Sequence, residues 1–516
     1  MPAVVKSLAD LLEDLGGERV GLWSGVSVSG IATDSRQVRP GDLFVAVPGD
    51  HAHGMQFLAG AVAAGACALI APPVAAWPAA VPGLRHPSPE RVLADVAARL
   101  YDRPADQVRV FGVTGTNGKT TTALLTAWLL RVAGGRAVAH WTTTEVDDGG
   151  PAFRPIWTTP PAHRLQRFLR EALDAGRRDA VIEVSSHAIV QDRAAGIPFT
   201  AGIATNVTPD HLDFHGSFAA YVSAKRAFVA GLGRDAAAIL NADDATVRGF
   251  AAATAARPIL YGFAPDAAVR ATDLVAAPRG SRFTLGVAPA LAGAGEALRV
   301  AVDLPLIGRH NVSNALAAVA AALWAGVPHD AIAGALASFP TPPRRLEPQL
   351  VGPYTVVNDV AMNEASYETV LRTAAELSFP QMVVVHAIRG QRGPEINARI
   401  GRTLAAWNTR LRFAPLIVSL SRGRLRRYPV NYGVAAEELA AFVEAAETGA
   451  MRVEIHDELE DAIADAVARL QPGGLLLLLG TFGMDDGPAI AVQALQAKAG
   501  TPTAAPRRYM DQRDRD

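Results

Sequence analysis

The stretch VRVFGVTGTNGKTTTALLTAWLL, residues 108–130, limits what this chain can fold into more than any other. A strand-like run ends near Val113, glycines follow, and Lys119, Thr120 and Thr121 open an apolar helical pattern. Strand, glycine turn and helix in that order predict a phosphate-binding loop. Gly115 and Gly118, with Thr116 and Asn117 between them, let backbone N–H groups approach phosphate oxygens closely. The helix dipole favours an anion, Lys119 supplies a point charge, and the Thr120 hydroxyl suits Mg²⁺. One position departs from the general G-x-x-x-x-G-K-[ST] pattern: residue 113 is valine, and the glycine stands one place earlier at Gly112. Around this loop, strand-like DAVIEVSS, FTAGIATNV and AAAILNADD alternate with helical patterns. That alternation predicts an α/β fold with a central, doubly wound, mostly parallel sheet.

At 516 residues the chain exceeds one ordinary core. Three blocks and a tail are expected: 1–105, 106–340, 341–500 and a flexible, polar 501–516. The proline-rich FPTPPRRLEP marks the second boundary as a linker and a hinge. Beyond it, YTVVNDV, QMVVVHAI, LIVSL and GLLLLLG alternate with helices, which predicts a second, Rossmann-like α/β domain. A net charge of -1 gives no electrostatic case for a nucleic-acid or membrane partner. The apolar GLLLLLG is far too short to span a bilayer. A single cysteine, Cys67, excludes an intrachain disulfide and is compatible with the cytosol, and the N-terminus carries no secretory pattern.

A second segment, TPDHLDFHGSFAAYVSAKRAF at 208–228, crowds Asp210, His211, Asp213 and His215 ahead of a helical pattern capped by Ser217. Lys225 falls on the apolar stripe of that pattern, with Phe218, Val222 and Val229. An inward lysine is a snorkelling side chain or an amine whose pKa burial lowers. Glu183 ends the apolar DAVIE run, where a carboxylate at a parallel strand's C-terminal end faces a ligand crevice or solvent. His211 reads equally as a metal ligand or as a hydrogen-bonded loop residue, since Mg²⁺ prefers oxygen.

The loop GVTGTNGKTT resembles that of the Mur ligase family, MurE type. WTTP, VIEVSSHA, Asp192-Arg193, TNVTPDHLDFHGSFAAYVSAKRAF, LNADD and GRHNVSNALAA follow in that family's order and spacing. The resemblance implies a three-domain ligase. Such an enzyme uses ATP to phosphorylate a carboxylate of a UDP-N-acetylmuramoyl peptide, and an amino acid's amine then displaces the phosphate. It implies ATP and Mg²⁺ as cofactors, small-molecule substrates as partners, and a cytoplasmic role in peptidoglycan synthesis. By position it implies Lys119, Glu183, His211 and Lys225 as catalytic residues, with Lys225 carbamylated. Metal ligands are then Thr120, Glu183, His211 and the Lys225 carbamate. ATP contacts are residues 115–121 with Asn311, Arg345 and Asp359. Ser35, Arg36, Thr158, Thr159, Ser185 and Arg193 grip the UDP–sugar–peptide substrate, and Arg389 faces the amino acid.

The resemblance frays toward the ends. The family's DGHDF segment reads HGMQF at residues 53–57. Its DYAHxPD segment reads DVAMNEA at 359–365, keeping Asp359 but placing Met362 where histidine is usual. Its DNPR motif, which reads diaminopimelate in part of the family, is missing; SLSRGRLRRYP stands nearby, with Arg422, Arg424, Arg426 and Arg427. Three readings follow: a ligase with a different amino acceptor, a nucleotide-binding paralogue with altered or lost ligase activity, or a ligase acting on another carboxylate.

Overall fold

The computed structural model describes residues 4–49, 53–74, 76–78, 80–292, 298–413, 415–428, 432–449 and 451–499. The polar tail expected at 501–516 lies outside them. Three large sheets organise these residues, beside a two-stranded pair of Lys6–Ser7 with Ser27–Val28. The first has strands Glu18–Val20, Gly83–Arg85, Ala68–Ala71, Asp42–Val45 and Gly30–Ala32 in spatial order, parallel except at the Glu18–Val20 edge. The third has Arg345–Val351, Tyr354–Asp359, Leu475–Gly480, Met382–Ala387, Leu416–Ser419 and Val453–His456. Only its first pair is antiparallel. GLLLLLG therefore supplies a central strand, and its continuous apolar run follows from helices on both faces.

The middle sheet has ten strands and carries the phosphate loop. Its parallel part runs Val138–Trp141, Asp179–Glu183, Arg109–Thr114, Phe199–Ala204, Ala237–Asn241 and Arg257–Gly262 in space. The chain leaves Arg109–Thr114, skips one position to Val138–Trp141, returns to fill the gap, and then crosses to the other side. That reversal opens a crevice at the C-terminal ends of Asp179–Glu183, Arg109–Thr114 and Phe199–Ala204. Helix Lys119–Val132 starts at this crevice, beside helix Arg309–Trp324. The second helix is alanine-rich because it is buried around most of its circumference, and small side chains allow close packing on the sheet.

The core carries most of the stability. A fully buried Leu such as Leu125, Leu129 or Leu316 contributes about 1.5–3 kcal/mol, against roughly 0.5–1.5 kcal/mol for a typical hydrogen bond. The polar contacts below therefore shape the crevice more than they hold up the domain. No helix among the described residues is long and apolar enough to cross a membrane.

Candidate functional site

The phosphate loop is held open by its neighbours. Gly115 has φ 144° and Gly118 has φ 88°. A Cβ at Gly115 would lie 1.9 Å from Thr205 Oγ1, and one at Gly118 would lie 2.4 Å from Asn314 Oδ1. Only glycine fits either place. The loop backbone is pinned by the turn after strand Phe199–Ala204. Thr116 N donates to Asn206 O (2.8 Å), Asn117 N to Asn206 Oδ1 (2.9 Å), and Thr205 Oγ1 to Asn117 O (2.7 Å). Thr116 Oγ1 meets Tyr221 OH at 3.0 Å. Lys119 folds over the loop and donates to Gly115 O (3.0 Å) and Thr116 O (2.9 Å). Thr120 and Thr121 are buried at the helix start.

Lys225 arrives at the same point from another element. Helix Phe218–Ala230 is capped by Ser217, whose hydroxyl accepts from Ala220 N at 3.2 Å. Lys225 is 1% exposed, on the face it shares with buried Tyr221, Phe228 and Val229; of the stripe expected from the sequence, Phe218 is instead exposed at the helix start and Val222 half-buried. Its Nζ donates to Gly115 O at 2.7 Å and lies 4.7 Å from the centre of the Tyr221 ring. Two amines thus converge on one carbonyl. Burial first, then the charge of Lys119, holds the Lys225 pKa well below the ordinary lysine value. The Lys119 pKa is lowered too, by burial, with Glu183 and Asp210 opposing.

Glu183 is 1% exposed at the end of its strand. Its carboxylate accepts from Thr143 N (2.7 Å) and Thr143 Oγ1 (3.1 Å), and Thr143 Oγ1 also reaches Thr158 Oγ1 (3.1 Å). Among the described residues no lysine or arginine hydrogen-bonds it. Thr159 Oγ1 donates to Glu183 O (2.7 Å) and accepts from Ser185 N (3.0 Å), while Arg193 Nη1 donates to Thr159 O (2.8 Å). Thr158, Thr159, Ser185 and Arg193 therefore stand together beside Glu183. Ser185 also caps the short helix Ser186–Val190.

His211 is half-exposed at φ 51°, opening the short helix Leu212–His215. Its ring stands 4.8 Å from that of His187 in an edge arrangement, and His187 lies 4.0 Å from the Phe214 ring. Desolvation, then the charges of His211 and His215, push the His187 pKa down to about 4. His215 packs against Tyr221, 5.1 Å between ring centres.

Asn311 and Asn314 are buried at the start of helix Arg309–Trp324. Asn311 Nδ2 donates to Ile307 O (2.9 Å), and Asn314 Nδ2 donates to Asn311 Oδ1 (3.2 Å). Both amides are thereby oriented, with that of Asn314 next to Gly118. Ser35 and Arg36 stand apart, in the first sheet's domain. Asp34 pairs with Arg36 at 2.7 Å, and the Arg36 side chain is otherwise open to solvent. Gln37 Oε1 next to them accepts from Arg164 Nη2 of the middle domain at 3.1 Å.

The third domain reaches into the crevice. Arg345 Nη2 donates to Thr120 Oγ1 at 3.3 Å. Asp359, beside Arg345 in the antiparallel pair, accepts from Leu346 N (2.9 Å), and burial raises its pKa to about 6 against the pull of Arg345 and Arg344. Asn363 Nδ2 donates to Asp210 Oδ2 at 2.8 Å. Deeper in that domain a pocket is lined by Tyr367, His386, Arg389, Arg392 and Thr481. Arg389 stacks over Tyr432 and Phe482, about 5 Å from each ring centre. Buried polar atoms in this pocket, His386 Nε2, Arg389 Nε and Thr481 Oγ1, have no hydrogen-bond partner among the described residues. The basic cluster meets the chain's own acids instead: Arg422 pairs with Asp457 (3.0 Å), and Arg424 with Glu460 (2.6 Å) and Asp486.

Sequence reasoning passes over His187, Asn206, Thr143 and Asn363. Asn363 carries a signal, the N-x-x-S spacing of a helix cap ahead of an amphipathic run. Thr143 carries none, because only the fold brings it to Glu183.

Among the described residues no three His, Cys, Asp or Glu side chains form a ready metal cluster. What is present is one buried carboxylate without a cationic hydrogen-bond partner and the Thr120 hydroxyl. That donor set fits Mg²⁺, which takes one or two carboxylates and completes its shell with phosphate oxygens and water.

Three family models match along the chain: Mur ligase family, catalytic domain at residues 27–101, Mur ligase middle domain at 113–322, and Mur ligase, glutamate ligase domain at 344–482. A UDP-N-acetylmuramoyl-L-alanyl-D-glutamate–2,6-diaminopimelate ligase of Streptomyces coelicolor is 33% identical over 491 residues, covering 94% of this chain and 93% of its own. The enzyme of the same name from Gloeobacter violaceus is 36% identical over 389 residues, covering 74% of this chain and 76% of its own. Among solved structures, a diaminopimelate ligase of that name superposes with a TM-score of 0.67 at 22% identity, covering 96% of this chain and 99% of its own. MurF ligase from Thermotoga maritima in complex with ADP superposes at 0.62 and 18% identity, covering 91% and 98%. The two structural likenesses establish the three-domain α/β fold, and the matches in sequence extend over all three sheets. A phosphate loop pinned by its neighbour turn, a buried lysine beside it and relatives one-third identical along nearly the whole length lead to one conclusion: this chain belongs to the Mur ligase family.

Proposed function

We propose that this chain is an ATP-dependent ligase that joins an amino acid to the peptide carboxylate of a UDP-N-acetylmuramoyl peptide. The reaction serves peptidoglycan precursor synthesis in the cytoplasm, where ATP is supplied. The observation that carries the reading is the convergence of Lys119 and Lys225 on the Gly115 carbonyl, with buried Glu183 ending the neighbouring strand. The names of the relatives agree with it.

In this reading the loop N–H groups from Gly115 to Thr121 and the Lys119 ammonium hold the ATP phosphates. Asn311 faces the adenine side. Thr120 and Glu183 would hold one Mg²⁺, and His211 with a carbamylated Lys225 a second; these ions would neutralise charge on the transferring phosphoryl group. Thr158, Thr159, Ser185 and Arg193 orient the muramoyl peptide, and Ser35 with Arg36 contacts its UDP end. A substrate carboxylate oxygen attacks the γ-phosphorus and ADP leaves, giving an acyl phosphate. The acceptor amine then attacks the acyl carbon, loses a proton, and phosphate departs with the carboxylate oxygen. Arg345, already on Thr120, and Asp359 bring the third domain to the nucleotide, and Arg389 faces the acceptor's carboxylate.

The pairing of Arg422 and Arg424 with Asp457, Glu460 and Asp486 favours an acceptor that these arginines do not read. A phosphate-release assay with UDP-muramoyl dipeptide and a panel of amino acids tests the function. Release that requires ATP, the dipeptide and one amino acid is expected, and diaminopimelate is expected to be outperformed by another member of the panel. Absence of release with every amino acid would favour a nucleotide-binding paralogue, and release with a different carboxylate would move the activity off muramoyl peptides.

A further inference from the structure

The altered segment DVAMNEA touches the middle domain through Asn363, at the one position that its family's DYAHxPD pattern leaves open. Asn363 is 8% exposed and caps helix Glu364–Glu376. Its Oδ1 accepts from Ser366 N at 3.0 Å, and its own N–H donates to Ser366 Oγ at 2.9 Å. That reciprocal capping box fixes the amide's orientation. The two Nδ2 hydrogens are thereby aimed out of the third domain, and one meets Asp210 Oδ2 at 2.8 Å. Asn117 Nδ2 of the phosphate loop approaches Asn363 Oδ1 at 3.4 Å.

Asp210 is a well-placed receiver. Its other oxygen accepts from His211 N at 3.0 Å, which orients the carboxylate. Its charge acts on Lys119 and Lys225 from the middle domain and on Arg392 from the third. Arg392 also donates to Met362 O, one residue before Asn363. A single carboxylate thus stands between the two lysines of the crevice and the only segment of the third domain that hydrogen-bonds to Asp210 among the described residues.

We propose that Asn363 is a positioning residue for the ligation step: its amide latches the third domain onto Asp210 and so seats the acceptor pocket over the phosphate loop. This rests on the ligase reading above. The latch is specific in charge, because an amide donates to a carboxylate and a carboxylate in its place repels one. It is separable from folding, because aspartate caps a helix as well as asparagine does.

The test is a charge-swap cycle of Asn363→Asp, Asp210→Asn and the double variant in the full chain. Two readouts are taken with a non-hydrolysable ATP analogue or ATP: the distance between nitroxides on exposed sites of the middle and third domains, and product formation with UDP-muramoyl dipeptide. With Asp210 intact, Asn363→Asp is expected to lengthen the inter-domain distance and lower turnover at least tenfold, with ATP affinity changed less than threefold. In the Asp210→Asn background the same substitution is expected to change both readouts less than threefold. There the amide introduced at position 210 donates to the carboxylate introduced at position 363, and the contact is remade in reverse. An equal effect in both backgrounds, or an unchanged distance in Asn363→Asp, overturns the latch. The distances following this pattern while no background makes product would instead sustain the latch and overturn the ligase reading.

Discussion

Replacing Lys225 by alanine is expected to lower ligation by at least about a hundredfold, and added acetate or another short-chain acid to restore part of it. Burial is the first cause. Lys225 is held 1% exposed among the Tyr221 ring, the Gly115 carbonyl and the Lys119 amine. With its pKa lowered by desolvation and by Lys119, the fraction carrying a free lone pair near neutral pH rises. That lone pair can attack CO₂; the nitrogen loses a proton and a carbamate anion replaces the cation. The sign of the local charge then changes, from two adjacent cations to a cation and an anion, and a metal-bound phosphoryl group is accommodated where a second ammonium would repel the metal. Alanine removes the anion and leaves a cavity that a small carboxylate fills. Turnover is measured with and without acetate, and the wild type also in CO₂-depleted buffer, where activity is expected to fall and return on adding bicarbonate. Undiminished activity in the alanine variant would remove Lys225 from the mechanism.

Glu183→Gln is expected to cost on the order of a hundredfold in turnover while changing ATP affinity little in the absence of metal. The carboxylate accepts from Thr143 N and Thr143 Oγ1, contacts that a glutamine amide oxygen can keep in part, so the strand end retains its shape. What the substitution removes is the negative charge. A buried carboxylate is strongly unfavourable without a positive partner. Here the Glu183 and Lys119 charges act on each other through space. A divalent cation completes that compensation, so the variant is expected to need more Mg²⁺ for half-maximal activity. A Mg²⁺ titration reads this directly, and an unchanged half-saturation point would assign the carboxylate to structure alone.

Much of this is legible in the chain itself, for physical reasons. The phosphate loop is local: its strand, glycines and helix start lie within about twenty residues, and the conformations that Gly115 and Gly118 adopt are ones other residues avoid. Lys225 is legible because helical periodicity places position 225 on the apolar side whatever the tertiary context, and Ser217 fixes where the helix begins. Glu183 can be placed at a strand end, but its partner Thr143 lies forty residues away and carries no local pattern. The arginine cluster is a different case. A run of charge in sequence is as readily a solvated face as a carboxylate site, and the fold brings Asp457, Glu460 and Asp486 against it. Charge in sequence reports surface, whereas pairing is decided by distant segments. Asn363 fills the unspecified position of an otherwise altered segment and shows in the sequence only as a helix cap; its contact with Asp210 spans 153 positions and exists only where two domains meet.

The central claim is that this crevice transfers a phosphoryl group to a carboxylate before the amide forms. Isotope transfer tests it most directly. UDP-muramoyl dipeptide labelled with ¹⁸O in its terminal carboxylate is turned over with ATP and the preferred amino acid, and the released phosphate is analysed by mass. One ¹⁸O in each phosphate, appearing in step with the new amide, is predicted. Unlabelled phosphate accompanying amide formation would contradict the account.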